Sequence, residues 1–367
     1  MKKVAIVTTH SANNFGAVLQ AFSLVSACRE LGADAKILDW RCPYYEWLYH
    51  RAWRMYRNPI PAVKHLLTYW GIEAPARRAF NQFRELIPLT PKITSRSGLV
   101  DLDRIYDAFI VGSDQVWNPA NSAVRNGDFD RANLLDFVRT KPKYAYAASI
   151  GVPEIQPENL LPEFVSAWRS FSRITMREHE GAEYVKQHSG VSAEVVLDPV
   201  LLHDRSFWDP IAHAPRENKG AYLFLYNVKH SSSLMRRAER IAIELGLSIV
   251  NVYVPAQSPI YCGKTVSIGP AEFLGYLRDA AVVVTNSFHA TAFSVLYGKK
   301  TYNELSKSAK SPNSRFVSLL RFAGLKSVVD EEVADSAFVS FDCSSANLMR
   351  LQQARIRSLG ILQEMVS

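Results

Sequence analysis

Short apolar runs that stop abruptly at small or polar residues, each followed by a helical stretch, constrain this chain more than any other feature. Val4–Thr8 is such a run, ended by the turn-rich His10-Ser11-Ala12-Asn13-Asn14-Phe15-Gly16. Val18, Ala21, Phe22, Val25 and Cys28 then recur at helical spacing, Leu31-Gly32 supplies a helix end, and Ala35–Trp40 gives the next strand. Strand, crossover helix and strand in that order form a βαβ unit, which needs parallel strands and a right-handed connection. Similar runs recur at 107–111, 144–149, 174–176 and 195–197. A second series begins near 219, with strands predicted at 221–228, 248–254, 281–285 and 300–303 and helices at 232–245, 270–279, 289–297 and 314–323. Ligands of open parallel sheets bind beyond the strand carboxyl ends, so the residues just past each run are the functional candidates.

With 367 residues, 48% of them apolar, the chain can bury two cores and is not a disordered polymer. The expected fold class is α/β, with two Rossmann-like domains facing one another across a cleft. The N-terminal domain spans 1–205 with a helical insertion at 41–100, the C-terminal domain spans 206–345, and a final helix spans 346–367. No apolar run approaches the ~20 residues of a membrane-spanning helix. Met1-Lys2-Lys3 leads straight into the first strand, which is unlike a secretory signal. Cys28, Cys42, Cys262 and Cys343 lie outside any CxxC spacing, and His10, His179, His188 and His203 have no metal-ligand spacing. A cytoplasmic protein without a metal site or disulfide framework is therefore expected. Walker A, HExxH, GxSxG and GxGxxG motifs are absent, which removes the commonest nucleotide and hydrolase signals.

The net charge of +8 is concentrated: residues 41–100 hold ten Lys/Arg against three acids. The same window holds ten aromatics, Tyr44, Tyr45, Trp47, Tyr49, Trp53, Tyr56, Tyr69 and Trp70 among them. Three readings compete. A nucleic-acid site lacks any accompanying recognition motif, so no nucleic-acid partner is expected. A solvated basic face over an aromatic core is the plain alternative. A peripheral contact with anionic membrane is the sharper one, because Trp and Tyr suit the interface and Arg suits anionic headgroups.

Four strand-end segments together resemble the polysaccharide pyruvyl transferase family. They are Ala12-Asn-Asn-Phe-Gly-Ala-Val-Leu-Gln20, Asp107-Ala-Phe-Ile-Val-Gly-Ser-Asp-Gln-Val-Trp-Asn118, Arg177-Glu178 with Val196-Leu-Asp-Pro199, and Thr285-Asn-Ser-Phe-His-Ala-Thr-Ala-Phe293. Order and spacing match from about residue 3 to residue 325. The resemblance implies a two-domain fold similar to GT-B glycosyltransferases. It also implies transfer of pyruvate from phosphoenolpyruvate to a sugar diol as a cyclic ketal. Asn13-Asn14 stands where some members carry an acid, so an acidic role at that loop does not transfer.

By that resemblance His289 is the catalytic histidine and Arg177 a donor-binding arginine. A donor lysine falls nearest Lys310, with Lys307 and Arg315 as neighbouring choices. The chemistry fits these residue types: phosphoenolpyruvate carries a phosphate and a carboxylate, and a guanidinium grips either with two hydrogen bonds. Asn286 and Ser287 are candidate donor contacts beside His289, at a helix N-terminus that attracts anions. Asp114 is a candidate base for a sugar hydroxyl, and Asn14, Gly16 and Gln115 are candidate acceptor contacts. Turn chemistry alone is an equal account of Asp114, Asn14 and Gly16, and Asp198-Pro199 is expected to fix a turn. No cofactor is expected, phosphoenolpyruvate being a donor substrate. The expected acceptor is a sugar, carried as a lipid-linked glycan if the chain works at the inner face of the membrane. A GT-B-type glycosyltransferase using a nucleotide sugar and a non-catalytic scaffold of a polysaccharide locus are the alternatives.

Overall fold

In the computed structural model the described residues are 1–41, 73–118, 130–151, 162–213, 220–254, 263–306, 313–332 and 336–367. Most of the basic-aromatic segment, including Arg51, Arg54 and Arg57, lies outside them, as do Lys307 and Lys310. The chain divides into two compact units at Leu202/His203. The principal helices are α1 (Phe15–Glu30), α2 (Ala74–Arg84), α3 (Pro162–Ser170), α4 (His179–Ser189), α5 (Ser232–Leu245), α6 (Pro270–Asp279), α7 (Phe288–Tyr297), α8 (Asn313–Ala323) and α9 (Ser345–Val366).

The first unit is built on β1 (Lys3–Val7), β2 (Asp34–Ile37), β3 (Ala108–Val111), β4 (Lys143–Ala148), β5 (Arg173–Met176) and β6 (Ala193–Val195). All pair in parallel, in the order β2-β1-β3-β4-β5-β6. A parallel sheet covered on both faces needs continuous apolar strands rather than alternating ones. Val4, Ala5 and Ile6, like Ala108–Val111, are accordingly fully buried. The opening βαβ unit is present as predicted, with α1 capped by the Asn14 side chain, which accepts from Ala17 N at 3.1 Å. Beneath the sheet Trp168 packs near Trp117 and Phe164, each with ring centroids 5.8 Å away.

The second unit is built on β7 (Tyr222–Tyr226), β8 (Ser248–Val252), β9 (Lys264–Val266), β10 (Val282–Thr285), β11 (Lys300–Ser306), β12 (Val328–Glu332) and β13 (Ser336–Phe341). Their order is β12-β13-β11-β10-β7-β8-β9. The five strands from β11 to β9 run parallel, and β13 and β12 add antiparallel to the β11 edge. The sequence predicts neither β9 nor the β12–β13 pair. β9 has only three residues, and the acids of Val328–Glu332 break the apolar run by which the other strands are recognised. Pairing with β13 also carries β11 to Ser306, past the predicted end at Asn303, and so brings Glu304 into the strand.

Two further assignments differ from the predicted domain scheme. Helix α2, from the 41–100 insertion, groups with the second unit, where Ala79 crosses Gly269 so closely that a Cβ at 269 would lie 2.4 Å from the Ala79 methyl. The final helix is not a separate body: the division falls between Ala354 and Arg355. Asn347 Nδ2 donates to Ala323 O and Gly324 O within the second unit, at 3.0 and 2.9 Å. Arg355 Nε donates to Leu201 O at 2.8 Å within the first. Among the described residues no helix is long and apolar enough to cross a membrane.

Candidate functional site

In each unit the first strand lies inside the sheet, with its sequence neighbour on one side and a later strand on the other. The connections therefore diverge at β1/β3 and at β7/β10, and a crevice opens beyond the strand ends at such a point. Both points are spanned by a side-chain amide.

At β1/β3 the amide is Gln20 of α1. Its Nε2 donates to Thr8 Oγ1 at 2.8 Å and its Oε1 accepts from Ser113 N at 3.2 Å. Gly112 precedes this crossing with φ 115°, and a Cβ there would lie 2.2 Å from Tyr146 O. No other residue fits that approach. The turn leaves Asp114 in the left-handed region at φ 71°. Its carboxylate, 18% exposed, accepts from Arg177 Nη2 at 3.4 Å.

Arg177 itself is buried at the end of β5. Its Nη1 donates to Asp198 Oδ2 at 2.6 Å. Burial works against the guanidinium charge, but Asp198, Asp114 and Glu178 outweigh it and raise its pKa. Asp198 also caps the turn at Pro199–Leu201 by accepting from Val200 N at 3.1 Å, which is the turn role expected of it. Gln115, expected near the acceptor, accepts through Oε1 from Asn118 Nδ2. Asn14 spends its side chain on the α1 cap, and Gly16 is buried within that helix.

A second polar group in this unit is absent from the sequence-based candidates. His10 is buried, with Nδ1 3.1 Å from Thr8 O and Nε2 3.0 Å from Asp39 Oδ1, and Arg41 Nε donates to the same Oδ1 at 2.5 Å. Burial alone would raise the Asp39 pKa; the His10 and Arg41 hydrogen bonds overcome it and hold the carboxyl at about 2. The sequence places Asp39 inside the predicted run Ala35–Trp40; β2 ends at Ile37, which puts Asp39 two residues past the strand.

At β7/β10 the amide is Asn286, the first residue past β10. Its Oδ1 accepts from Val228 N at 2.9 Å and Lys229 N at 3.4 Å. Its Nδ2 donates to Asn227 Oδ1 at 3.1 Å and Glu304 Oε2 at 3.2 Å. Four bonds use the full capacity of a carboxamide, so Asn286, a candidate donor contact by sequence, here ties the loops together. Ser287 caps α7, its hydroxyl accepting from Ala290 N at 3.4 Å. His289, in the first turn of α7, is 9% exposed, with the Phe288 ring edge-on at 5.2 Å. The Arg315 guanidinium lies over the other partner of that contact, 5.7 Å from the Phe288 centroid. Lys229 is exposed beyond β7; partial desolvation and then the nearby Arg315 charge lower its pKa, with Glu304 opposing. Among the described residues no group of three or more His, Cys, Asp or Glu is placed to hold a metal ion.

Two α/β units with polar, tightly tied strand ends define a GT-B-like fold. The family model for polysaccharide pyruvyl transferase matches residues 14–303, and the chain belongs to that family. No curated protein sequence matches it. Among solved structures, a putative UDP-N-acetylglucosamine 2-epimerase from Listeria monocytogenes is similar with a TM-score of 0.53 and 12% identity, over 100% of this chain and 91% of that one. UDP-GlcNAc 2-epimerase from Neisseria meningitidis, bound to UDP-GlcNAc, has a TM-score of 0.49 and 10% identity over 100% and 94%. Arabidopsis thaliana UGT89C1, complexed with quercetin, has a TM-score of 0.45 and 11% identity over 99% and 93%. The likeness is one of fold.

The buried Arg177 ion pairs generate a stability test. Removing one partner of a buried ion pair costs about 3–5 kcal/mol, because the remaining charges stay buried without compensation. Arg177→Met should therefore lower the denaturant midpoint of the first unit strongly, followed by circular dichroism. A midpoint equal to the wild type would show that Arg177 does not brace the unit.

Proposed function

We propose that the chain is a pyruvyltransferase that moves pyruvate from phosphoenolpyruvate onto a hexose diol as a cyclic ketal, in the assembly of a surface polysaccharide. The family match over residues 14–303 carries this reading, since it spans both sets of strand ends. The chemistry asks for an acid, a base and fixed cations. A proton is added to the enol methylene carbon, and the neighbouring carbon becomes electrophilic. One sugar hydroxyl attacks that carbon and loses its proton. The C–O bond to phosphate then breaks, the second hydroxyl attacks and loses its proton, and the ring closes. Of the two protons released, one balances the proton placed on the methyl group and the other leaves with phosphate.

His289 is the proton donor in this reading. It lies in the first turn of α7, at a helix N-terminus that favours a bound dianion. Arg315 over Phe288 and the exposed Lys229 are cations of the same unit and suit the phosphate and carboxylate of the donor. Lys310, the family-implied choice, lies outside the described residues. Asp114 serves as hydroxyl base, since its carboxylate is the more exposed partner of Arg177. Arg177 is then the group that fixes Asp114. The family resemblance also implies a donor contact for Arg177, whose guanidinium has five N–H groups to place.

Thermal-shift measurements separate donors directly. Phosphoenolpyruvate should raise the melting temperature, and UDP- or GDP-sugars should not. His289→Ala should keep that shift, keep the cooperative transition and lose ketal formation. Stabilisation by a nucleotide sugar alone would favour a glycosyltransferase, and stabilisation by neither would favour a scaffold.

The +7 surplus of residues 41–100 supports a second proposal, that the enzyme docks on anionic membrane and meets a lipid-linked acceptor at the inner leaflet. Each basic residue near such a surface contributes about 1 kcal/mol, within a Debye length of roughly 8–10 Å. Co-sedimentation with anionic liposomes should be seen at low salt, fade at high salt, and weaken on charge reversal at Arg51, Arg54 and Arg57. Equal absence of binding to anionic and zwitterionic lipid at low salt would dismiss it.

A further inference from the structure

Glu304 is a carboxylate inside the second unit that none of the four family-like motifs contains. It is 8% exposed, near the end of β11, and both of its oxygens are engaged by neutral donors. Ser231 donates its hydroxyl to Oε1 at 2.6 Å, and Asn286 donates through Nδ2 to Oε2 at 3.2 Å. These bonds close a ring. Asn286 Nδ2 also donates to Asn227 Oδ1 at 3.1 Å, and Asn227 Oδ1 accepts from Ser231 N at 2.9 Å. The ring thus joins the ends of three adjacent strands, β11, β10 and β7, across the point where the connections diverge. Lys229 is a nearby cation, but both carboxylate oxygens spend these hydrogen bonds on neutral groups, and an apolar residue would fill the strand position more cheaply than a carboxylate. The stability of the sheet does not explain it.

What the ring holds does. Asn286 lies three residues before His289 and one before the Ser287 cap of α7, so fixing its amide fixes the entry of the chain into that helix. The same amide accepts from the backbone of Val228 and Lys229. Without Glu304 the carboxamide would lose one of its four partners and be able to turn about its terminal torsion, which is the soft one. We propose that Glu304 is a positioning residue: through Asn286 it fixes His289 on one side of the β7/β10 crossing and the Lys229 peptide on the other. This rests on His289 being the proton donor of the pyruvyl transfer.

The test uses the full chain with labelled histidine. In Glu304→Ala the His289 ring resonances should move or broaden, and kcat should fall about tenfold to hundredfold, since misplacement of about 1 Å is worth up to that much. Glu304→Gln preserves an acceptor for Asn286 and should restore both the resonances and kcat. A Glu304→Ala protein that unfolds leaves Asn286→Asp as the second variant, which faces Glu304 with a like charge and should show the same losses. Adding Glu304→Gln to Asn286→Asp replaces that repulsion by a hydrogen bond and should recover part of them. Unmoved His289 resonances in folded Glu304→Ala or Asn286→Asp protein would overturn the inference. So would loss in Glu304→Gln as large as in Glu304→Ala, because charge and not positioning would then be what matters. The resonances are read without turnover: if they respond as expected while the wild type fails to form a ketal, the pyruvyl-transfer reading fails and the positioning link stands.

Discussion

One side-chain amide, tying the residues beyond one strand end to those beyond the next, is the interaction on which the strand ends of each unit depend. A strand buried on both faces must leave the sheet somewhere, and its last peptide groups then need partners other than a neighbouring strand. Gln20 supplies them at β1/β3 and Asn286 at β7/β10. An unmet buried polar group costs about 1–3 kcal/mol, so these ties set the paths of the loops beyond them. One of those loops carries Asp114, and the other leads into the helix that carries His289.

The two units satisfy the same need with different electrostatics. The first surrounds one guanidinium, Arg177, with Asp198, Asp114 and Glu178, and couples that cluster to the Ser113 turn through the Ser113 hydroxyl. The second hydrogen-bonds one carboxylate, Glu304, to a neutral amide and a hydroxyl, with Lys229 as a nearby cation. Buried networks are sound only when every member is satisfied. A fully bonded Asn286 and a doubly bonded Glu304 meet that condition at the entry to α7.

Much of the architecture was legible because parallel strands, covered on both faces, must be continuous apolar runs, and helix ends carry their own signals. The Ser231 cap and Gly246 bound α5 at the predicted residues, and Asn14 starts α1. The antiparallel β12–β13 pair was not legible, since its strands lack such runs. Family resemblance picked out the strand-end segments that carry Asp114 and His289, but sequence does not say where a side chain points. The motif marks Asn286 as a candidate contact, and only the structure shows the four side-chain bonds that it makes within the unit. Glu304 was passed over because a charged residue after Asn303 reads as a strand end, and only the β13 pairing extends β11 beyond it. His10 and Asp39 are 29 residues apart, and the parallel pairing of β1 with β2 is what brings their ends together.

The central claim is that this chain moves a pyruvyl group with a proton delivered to the enol carbon. Proton NMR in D2O tests it most directly, with phosphoenolpyruvate and a panel of hexosides bearing free neighbouring hydroxyls. The account predicts a new ketal whose methyl group carries one deuterium, formed in step with one inorganic phosphate. Phosphoenolpyruvate recovered intact with every hexoside, while a nucleotide sugar is consumed to form a glycoside, would contradict it.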